Sequence, residues 1–423
     1  MEAIALIDGN NFYASCEQSI NPSLRKKPLV ILSNNDGCII ARSAEARALG
    51  IKMGTPYFKA KKRLNQLGVI VLSSNYSLYG DMSKRLMNLL KKHCEKIEIY
   101  SIDEAFVSIS RPKDNNLYRW ARQLRAFIYQ NLGITITIGI GENKVRAKLA
   151  NKLAKEIDQS SGIFDLANIK NKDNYFKRFR VEDIWGVGNQ TSKWLRSKGI
   201  KNANEFKEMD EYEVTKKLGV VGKRIQLELK GYKCLSIENI KTQKKEIRVS
   251  RSFGKPITRL EDLTQALAIY AITASEKMRL QNLQTSTITI FTRTSHYSNY
   301  HYQKSAYKNL VEPTNNTNII LNIVLELAKE IYNREYKLAK AGVLMQNLTS
   351  YNYLQKSIHN SFSEEKLLKE NNLIKTIDYL NSKFNNKAVS WGIIQRTQNW
   401  EMNKNLLSGT STTNIDKIPT III

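Results

Sequence analysis

The sequence predicts an α+β protein of several domains, and three observations predict it. The chain has 423 residues, enough for two to four separate hydrophobic cores. Residues 1 to about 165 alternate short apolar runs with helical stretches, and a glycine-punctuated helical region follows them. Beyond a basic connector comes a second alternating set in the order β-α-β-β-α-β. Strands and helices mixed in this way build sheets covered by helices rather than a bundle or a sandwich.

Taken in order, apolar runs predict strands at 2–7, 29–32, 69–72, 97–100, 105–109 and 134–140. Apolar residues at helical spacing predict helices at 43–49, 79–92, 115–131 and 143–157. From 166 to about 235 the pattern is of short helices broken by Gly186, Gly188, Gly199, Gly219, Gly222 and Gly231. Within it, Trp185-Gly186-Val187-Gly188 opens a helix that carries Lys193. Glycines there would present backbone N–H groups to a phosphate, aided by the helix dipole. That is the pattern of a helix-hairpin-helix, a clamp on the DNA backbone that ignores sequence; the same spacing also suits a plain tight turn. The connector holds Lys241, Lys244, Lys245, Arg248 and Arg251 against one acid, Glu246. Strands 246–253, 285–294, 300–309 and 340–348 then interleave with helices 261–282 and 317–335. Thr287-Ile288-Thr289-Ile290 alternates, so one face of this second sheet should be buried and the other polar. Residues 349–423 are asparagine-rich and weakly patterned, with one helix expected near 364–383.

The charge narrows the class. Lysine and arginine number 66 against 39 acids, a formal net charge of +27. An excess so one-sided repels itself unless it meets a polyanion, either nucleic acid or an acidic membrane surface. No apolar run approaches the ~20 residues of a membrane span, and no basic-then-apolar leader precedes the first strand, so neither an anchor nor a signal peptide is expected. Cys16, Cys38, Cys94 and Cys234 are scattered without a C-x-x-C spacing, which argues against a zinc site or a disulfide framework and suits the reducing cytoplasm.

The chemistry is expected at three acids. Asp8 ends the first apolar run, and Asp103-Glu104 fill the gap between the runs 97–100 and 105–109, which reads as an antiparallel hairpin. A lone strand-end aspartate is often a turn residue. Three acids at one sheet edge need something positive to hold them, and two divalent metal ions would do so. Two metals suit phosphoryl transfer, one activating the attacking oxygen and one steadying the leaving oxygen.

The surroundings of these acids resemble a known family. Asp-Gly-Asn-Asn-Phe-Tyr-Ala-Ser-Cys-Glu (8–17), the stretch from Leu32 to Gly54, Ser-Ser-Asn-Tyr-Ser-Leu-Tyr (73–79), Ser-Ile-Asp-Glu-Ala-Phe (101–106), Trp-Gly-Val-Gly (185–188) and Ser-Arg-Ser-Phe-Gly (250–254) are similar to motifs of the Y-family translesion DNA polymerases, UmuC type. The resemblance runs from residue 1 to about 348 and more weakly to about 407. It implies a right-hand polymerase: palm at 1–19 and 79–165, fingers at 20–78, a helix-hairpin-helix thumb at 166–235, a basic linker at 236–245, a β-α-β-β-α-β little finger at 246–348, and a partner-binding tail at 349–423. It also implies that Asp8, Asp103 and Glu104, with the Gly9 carbonyl, bind two Mg²⁺ ions. Tyr13 matches the steric gate against a 2′-hydroxyl, with Phe12 beside it in the core. Arg47 and Lys155 match residues that grip the triphosphate, and Cys38 and Ile40 the roof over the nascent base pair. The family has a tyrosine where this chain has Ala44, a contact that Arg42 or Ser43 would have to replace. Gly186, Gly188, Lys193, Lys244, Lys245, Arg248 and Arg251 would touch DNA. In the clamp-binding pentapeptide, Gln355 and Ile358 keep their type, but the last position is His359, which predicts weakened binding to a sliding clamp.

The implied activity is low-fidelity, template-directed DNA synthesis across damaged bases, as in SOS mutagenesis, in the bacterial cytoplasm at the nucleoid. The implied partners are a primed DNA template, dNTPs, a UmuD-like accessory dimer, a recombinase filament and a sliding clamp, with no membrane. Two other classes compete: a non-enzymatic DNA-bound factor that slows replication, which the intact acid triad argues against, and a nucleotide cyclase on a similar palm, which would need no grip on duplex DNA. A steep loss of DNA affinity with salt separates a phosphate-gripping protein from a cyclase.

Overall fold

The computed structural model describes residues 2–110, 117–156, 162–237, 243–351, 364–384, 388–394, 398–409 and 412. Among them, no helix is long and apolar enough to cross a membrane. The chain forms two compact units, the first from Met1–Lys241 with Asn405–Ile423, the second from Thr242–Lys404. Lys241 and the segment from Gln355 to His359 lie outside the described residues.

The first unit runs β1 (Glu2–Gly9), α1 (Phe12–Ile20), β2 (Leu29–Leu32), β3 (Ile39–Arg42), α2 (Ala44–Ala48), α3 (Tyr57–Gln66), β4 (Ile70–Ser73), α4 (Tyr76–His93), β5 (Lys96–Ile99), β6 (Glu104–Ser110), α5 (Leu117–Leu132), β7 (Ile136–Gly141), α6 (Lys144–Glu156) and β8 (Ile163–Asp165). The short helices α7 (Asp173–Phe176), α8 (Asn189–Ser197) and α9 (Ala203–Glu208) and the long α10 (Glu211–Lys230) follow. Strands β5-β6-β1-β7-β8 form one sheet, and β3-β2-β4 a smaller one. The second unit holds β9 (Glu246–Ile257), α11 (Leu260–Arg279), β10 (Leu283–Arg293), β11 (Gln303–Thr314), α12 (Thr317–Ile331), β12 (Leu338–Ser350) and α13 (Glu364–Lys383). Its sheet runs β11-β10-β12-β9, with α11 and α12 packed on one face.

Helices α1 and α3 and strand β3 form where the sequence pattern predicted no element. The reason is composition. Helix α1 buries Cys16 and Glu17 rather than a run of large apolar residues, and α3 is lysine-rich with a single buried residue, Leu64. Strand β11 starts at Gln303 rather than 300 and runs on to Thr314, because it is largely exposed and offers little apolar signal.

The large sheet explains why the first run is continuously apolar. Ala3, Ala5 and Ile7 face a core shared with α1, α4 and α5, while Ile4 and Leu6 face α6 together with Phe106 and Ala147. A central strand covered on both faces reads as unbroken hydrophobicity. Strand β7 divides its residues just as sharply. Ile136, Ile138 and Ile140 face the first core, and Gly139 and Gly141 face α6. A Cβ on Gly139 would lie 2.0 Å from the Asn151 nitrogen and 2.6 Å from the Ala147 carbonyl oxygen; one on Gly141 would lie 2.6 Å from the Ala147 nitrogen. Helix α6 therefore lies directly on the strand backbone. Its far side packs Val145, Leu149 and Leu153 into the helical core with Phe176, Phe179, Phe206 and Leu229. The buried Glu228 of α10 accepts from the Val145 N–H at 2.9 Å and so caps the start of α6.

In the second unit, the described part of the tail is packed rather than loose. Arg279 donates from Nε and Nη2 to the two carboxylate oxygens of Asp378 on α13, at 2.6 and 2.8 Å. Trp400 is buried against Phe253, ring centroids 5.7 Å apart.

The closeness of α6 to β7 has a direct consequence. Gly139→Ala is expected to lower the stability of the first unit by about 3 kcal/mol or more, because helix backbone rather than a flexible side chain meets the new methyl. Denaturant unfolding of the purified variant measures this, and a loss under about 1 kcal/mol would contradict the packing.

Candidate active site

The three acids converge through strand register. Asp8 of β1 pairs directly with Glu104 of β6, and the Gly9 N–H donates to the Asp103 carbonyl at 2.9 Å. Side-chain alternation sends Asp8 to the face of Ile4 and Leu6, and Glu104 to the face of Phe106, so both look toward α6. Like charges opposed across a sheet repel, and what meets them is a row of lysines on that helix. Lys155 Nζ lies 2.8 Å from Asp8 Oδ1, and Lys148 pairs with Glu104. Two further pairs extend the row: Lys144 with Glu98 at 2.6 Å and Lys152 with Asp183 at 2.6 Å. Asp103 Oδ1 accepts from the Ser101 hydroxyl at 2.6 Å. Lysines of the chain itself thus meet Asp8 and Glu104, and among the described residues no three metal-ligating side chains stand gathered as a ready-made cation site.

Beside the acids opens a cleft of about 690 Å³ lined by Asp8, Gly9, Phe12, Tyr13, Ile40, Arg42, Ala44, Arg47, Asp103 and Lys155, among others. Residues from 8 to 155 therefore share one cavity. Arg47 reaches it from the five-residue α2, whose N-cap Ser43 accepts from Ala46 N–H, and Lys155 from the last turn of α6. Cys38 is not in the lining; it forms a bridge to Pro56, and its N–H donates to Ser33 Oγ at 3.0 Å. Pattern reading missed Asn10, Met53, Thr135 and Thr137 in the lining, and Lys148 beside it. The lysines had a legible signal, since Lys144, Lys148, Lys152 and Lys155 repeat at helical spacing.

The turn from β1 to α1 fixes the aromatic wall. Asn11 takes a left-handed conformation, φ 48°, at the helix N-cap, a shape that asparagine tolerates better than most residues. Asn10 is held by its N–H to the Thr135 carbonyl at 2.9 Å, and its Oδ1 accepts from Thr137 Oγ1 at 2.6 Å. Phe12 goes into the core. Tyr13 lies half-buried in the cleft, stacked on Tyr79 at 4.3 Å and 14° and edge-on to Tyr76 at 6.3 Å. Burial pushes both phenols up from their ordinary pKa. Cys16, one turn along α1, has its thiol pushed well up by burial and then by Glu17.

The candidate DNA contacts fall into two groups. In the first unit, Gly186 has φ +91°, and a Cβ there would meet Ile225 Cδ1 at 2.5 Å, so the turn demands glycine. Gly188 is the N-cap of α8, with Lys193 exposed one turn on. Trp185 locks this turn to the large sheet, its indole N–H donating to Tyr100 OH at 3.0 Å and its ring 5.7 Å from both Tyr100 and Phe106. In the second unit, Lys244, Lys245, Arg248 and Arg251 are all exposed, but they do not share a face. Arg248 lies on the helix-free face of the sheet, its guanidinium 4.7 Å over the Phe291 ring. Arg251, three residues on, points to the helix side, where its charge reaches Tyr270 of α11. The basic neighbours of Arg248 are Arg293 and Lys340, whose ammonium pKa is pulled down by burial and by those two arginines.

Family models agree with this architecture. One for the impB/mucB/samB family matches residues 7–152, and one for that family's C-terminal domain matches 244–358. The chain belongs to the impB/mucB/samB family. Its relatives include UmuC of Salmonella typhimurium, 38% identical over 97% of each chain, SamB of the same organism, 36% identical over 98% of each, and MucB of Escherichia coli, 36% identical over 82% of this chain and 83% of the relative. A third model, for a domain of unknown function, matches residues 371–421. Solved structures share the fold: a Y-family DNA polymerase chimera of Dbh and Dpo4 with a TM-score of 0.69 and 23% identity, over 82% of this chain and 99% of that one, and an insertion ternary complex of Dbh DNA polymerase with a TM-score of 0.53 and 22% identity over the same shares. Members of this family are UmuC-like Y-family DNA polymerases, and the chain is a DNA-directed DNA polymerase of translesion synthesis.

Asp8 carries the clearest pH signature. Burial pushes its carboxyl up to about 6; Lys155 opposes the shift, and Glu104 and Asp103 add to it. A raised carboxyl pKa means that the folded chain holds a proton the unfolded chain has released, so stability falls as pH rises from about 4 to about 6. In metal-free buffer Asp8→Asn should therefore stabilise the first unit by on the order of 2 kcal/mol above pH 7 and by nearly nothing at about pH 4. Lys155, about one-third exposed, can turn to water in the variant. Chemical denaturation with chelator at the two pH values checks this; a loss of stability above pH 7 would contradict it.

Proposed function

We propose that this polymerase performs nucleotidyl transfer from a dNTP to a primer 3′-hydroxyl in the cleft beneath Arg47, with Asp8, Asp103 and Glu104 as its acids and the Gly9 carbonyl beside them. The observation that supports this reading is the cleft itself, which gathers Asp8, Asp103, three cationic side chains (Arg42, Arg47 and Lys155) and the stacked Tyr13. Carboxylate and carbonyl oxygens at two adjacent strand ends suit a hard cation such as Mg²⁺. Two bound Mg²⁺ ions would supply activation of the attacking hydroxyl and charge stabilisation at the leaving pyrophosphate.

The chain's own residues do the remaining work. Lys155, paired here with Asp8, lines the cleft, and its ammonium would be available to the triphosphate if Asp8 held a metal ion. Arg47 grips the same tail from α2, a bidentate donor suited to phosphate. Tyr13, braced by Tyr79, blocks the 2′ position of the sugar. Ile40 covers the base from above, and Arg42 takes the place left by Ala44.

In this reading the β5-β6-β1-β7-β8 sheet with its helices is the palm, the β3-β2-β4 segment the fingers, α7 to α10 the thumb, and the second unit's sheet the little finger. Within the first unit the α8 turn offers a contact for a DNA backbone, and within the second unit the helix-free face that carries Arg248, Arg293 and Lys340 offers another. Partners of matching kind are a UmuD-like dimer, a recombinase filament and, through Gln355 and Ile358, a weakly held sliding clamp, on the nucleoid of a bacterial cytoplasm.

Two variants test the roles. Asp103→Ala should reduce primer extension across an abasic site by at least about 10³-fold while DNA affinity stays within about twofold; surviving synthesis would remove Asp103 from the site. Tyr13→Ala should lower the preference for dNTP over rNTP by at least about tenfold; an unchanged ratio would remove Tyr13 from the gate.

A further inference from the structure

The tail segment Asn405–Ser408 belongs to the first unit, and it is built into the edge of the small sheet. Leu407 bridges Ser73 of β4 in parallel. The Ser73 N–H donates to the Leu406 carbonyl at 2.9 Å, and the Leu406 N–H donates back to Ser73 Oγ at 3.0 Å. Asp36 clamps the same spot, accepting from the Asn405 N–H at 3.1 Å and from Ser73 Oγ at 2.6 Å. Leu406 packs on the core of Val30, Leu32 and Leu64. Backbone pairing, a charged clamp and an apolar anchor together make this a seated strand end.

The segment ends on a group that matters for the cleft. Ser408 Oγ donates to Glu17 Oε1 at 3.1 Å and accepts from Asn75 Nδ2 at 3.3 Å. Glu17 is fully buried, and the same oxygen accepts from Tyr79 OH at 2.9 Å. Asn75 also caps α4, its Oδ1 accepting from the Leu78 N–H at 3.2 Å. Tyr79 is the ring on which Tyr13 stacks. A buried carboxylate is held only by its hydrogen bonds, so a hydroxyl supplied from residue 408 helps to set where Glu17, and through it Tyr79, comes to rest.

We propose that Asn405–Ser408 is a positioning element for sugar selection, acting through Ser408, Glu17 and Tyr79 on Tyr13. This gives a role to part of the region matched by the domain of unknown function, and it rests on the gate reading of Tyr13. Ser408 never meets the nucleotide. It narrows the range of places the Tyr13 ring can occupy, and a looser ring admits a 2′-hydroxyl without slowing the incorporation of deoxynucleotides.

The test uses the full chain, a primed undamaged template, and the ratio of kcat/KM for a dNTP to that for the matching rNTP. The ratio cancels any fraction of unfolded enzyme. Ser408→Ala should lower it about three- to tenfold, the loss of one hydrogen bond; Ser408→Thr, which keeps the hydroxyl, should restore it. Tyr79→Phe, which keeps the stack and loses the hydroxyl, should shift it the same way. In a Tyr13→Ala background, Ser408→Ala should change nothing further. If the ratio holds in Ser408→Ala and Tyr79→Phe while Tyr13→Ala lowers it, the inference fails and the gate stands. If Ser408→Ala lowers the ratio equally with and without Tyr13, the effect bypasses the gate and the inference fails. If Tyr13→Ala itself leaves the ratio unchanged, the gate reading falls and the inference with it.

Discussion

The first unit depends on one helix pressed against one strand. Two glycines of β7 remove the side chains that would keep α6 away, and the helix then brings Lys144, Lys148, Lys152 and Lys155 onto four carboxylates from three other parts of the chain. Charges taken out of water are costly unless compensated. Here the compensation comes from a rigid element that cannot drift, because its other sides are buried in the sheet and in the helical core. The acid cluster, the cleft and the attachment of the α8 turn all follow from that placement. Phe106 and Tyr100 extend it, since Lys148 lies 4.4 Å over the Tyr100 ring and Trp185 packs on both.

Much of this was legible in the sequence, for identifiable reasons. The strand-end acids were visible because apolar runs stop at them, and the hairpin at Asp103-Glu104 because two runs flank so short a gap. Alternation at Thr287–Ile290 foretold the two-faced sheet, with Ile288 and Ile290 fully buried. Helices α1 and α3 were hidden because each carries its apolar signal on too few residues. The spacing of the lysine row was legible, but what it faces was not. A charged stripe on a helix usually faces water, and only the strand register shows that this one faces carboxylates. Cys38 and Ile40 were paired by resemblance, but of the two only Ile40 lines the cleft, while Cys38 bridges Pro56. Arg248 and Arg251 looked equivalent in a basic run, but a separation of three residues on a strand puts them on opposite faces.

The second unit shows the same economy with space. Gly342 of β12 lies under the Phe291 ring, where a Cβ would come within 2.5 Å of Cε1, and that vacancy lets the ring lie flat enough for the Arg248 guanidinium to cover it. An arginine held over an aromatic ring loses little freedom when it meets a phosphate. The tail is bound to this unit by Asp378 and Trp400 through contacts that no periodic pattern in its sequence announced.

The depressed acidity of Cys16 has a chemical corollary. Alkylating agents and peroxides attack thiolates, and a thiol forced to keep its proton at neutral pH reacts with them slowly. Cys16 is fully buried in the same core as Tyr79, one turn along α1 from Tyr13, so a reagent in solution meets no part of it. The one cysteine of α1 is therefore shielded twice, by its burial and by the proton it keeps.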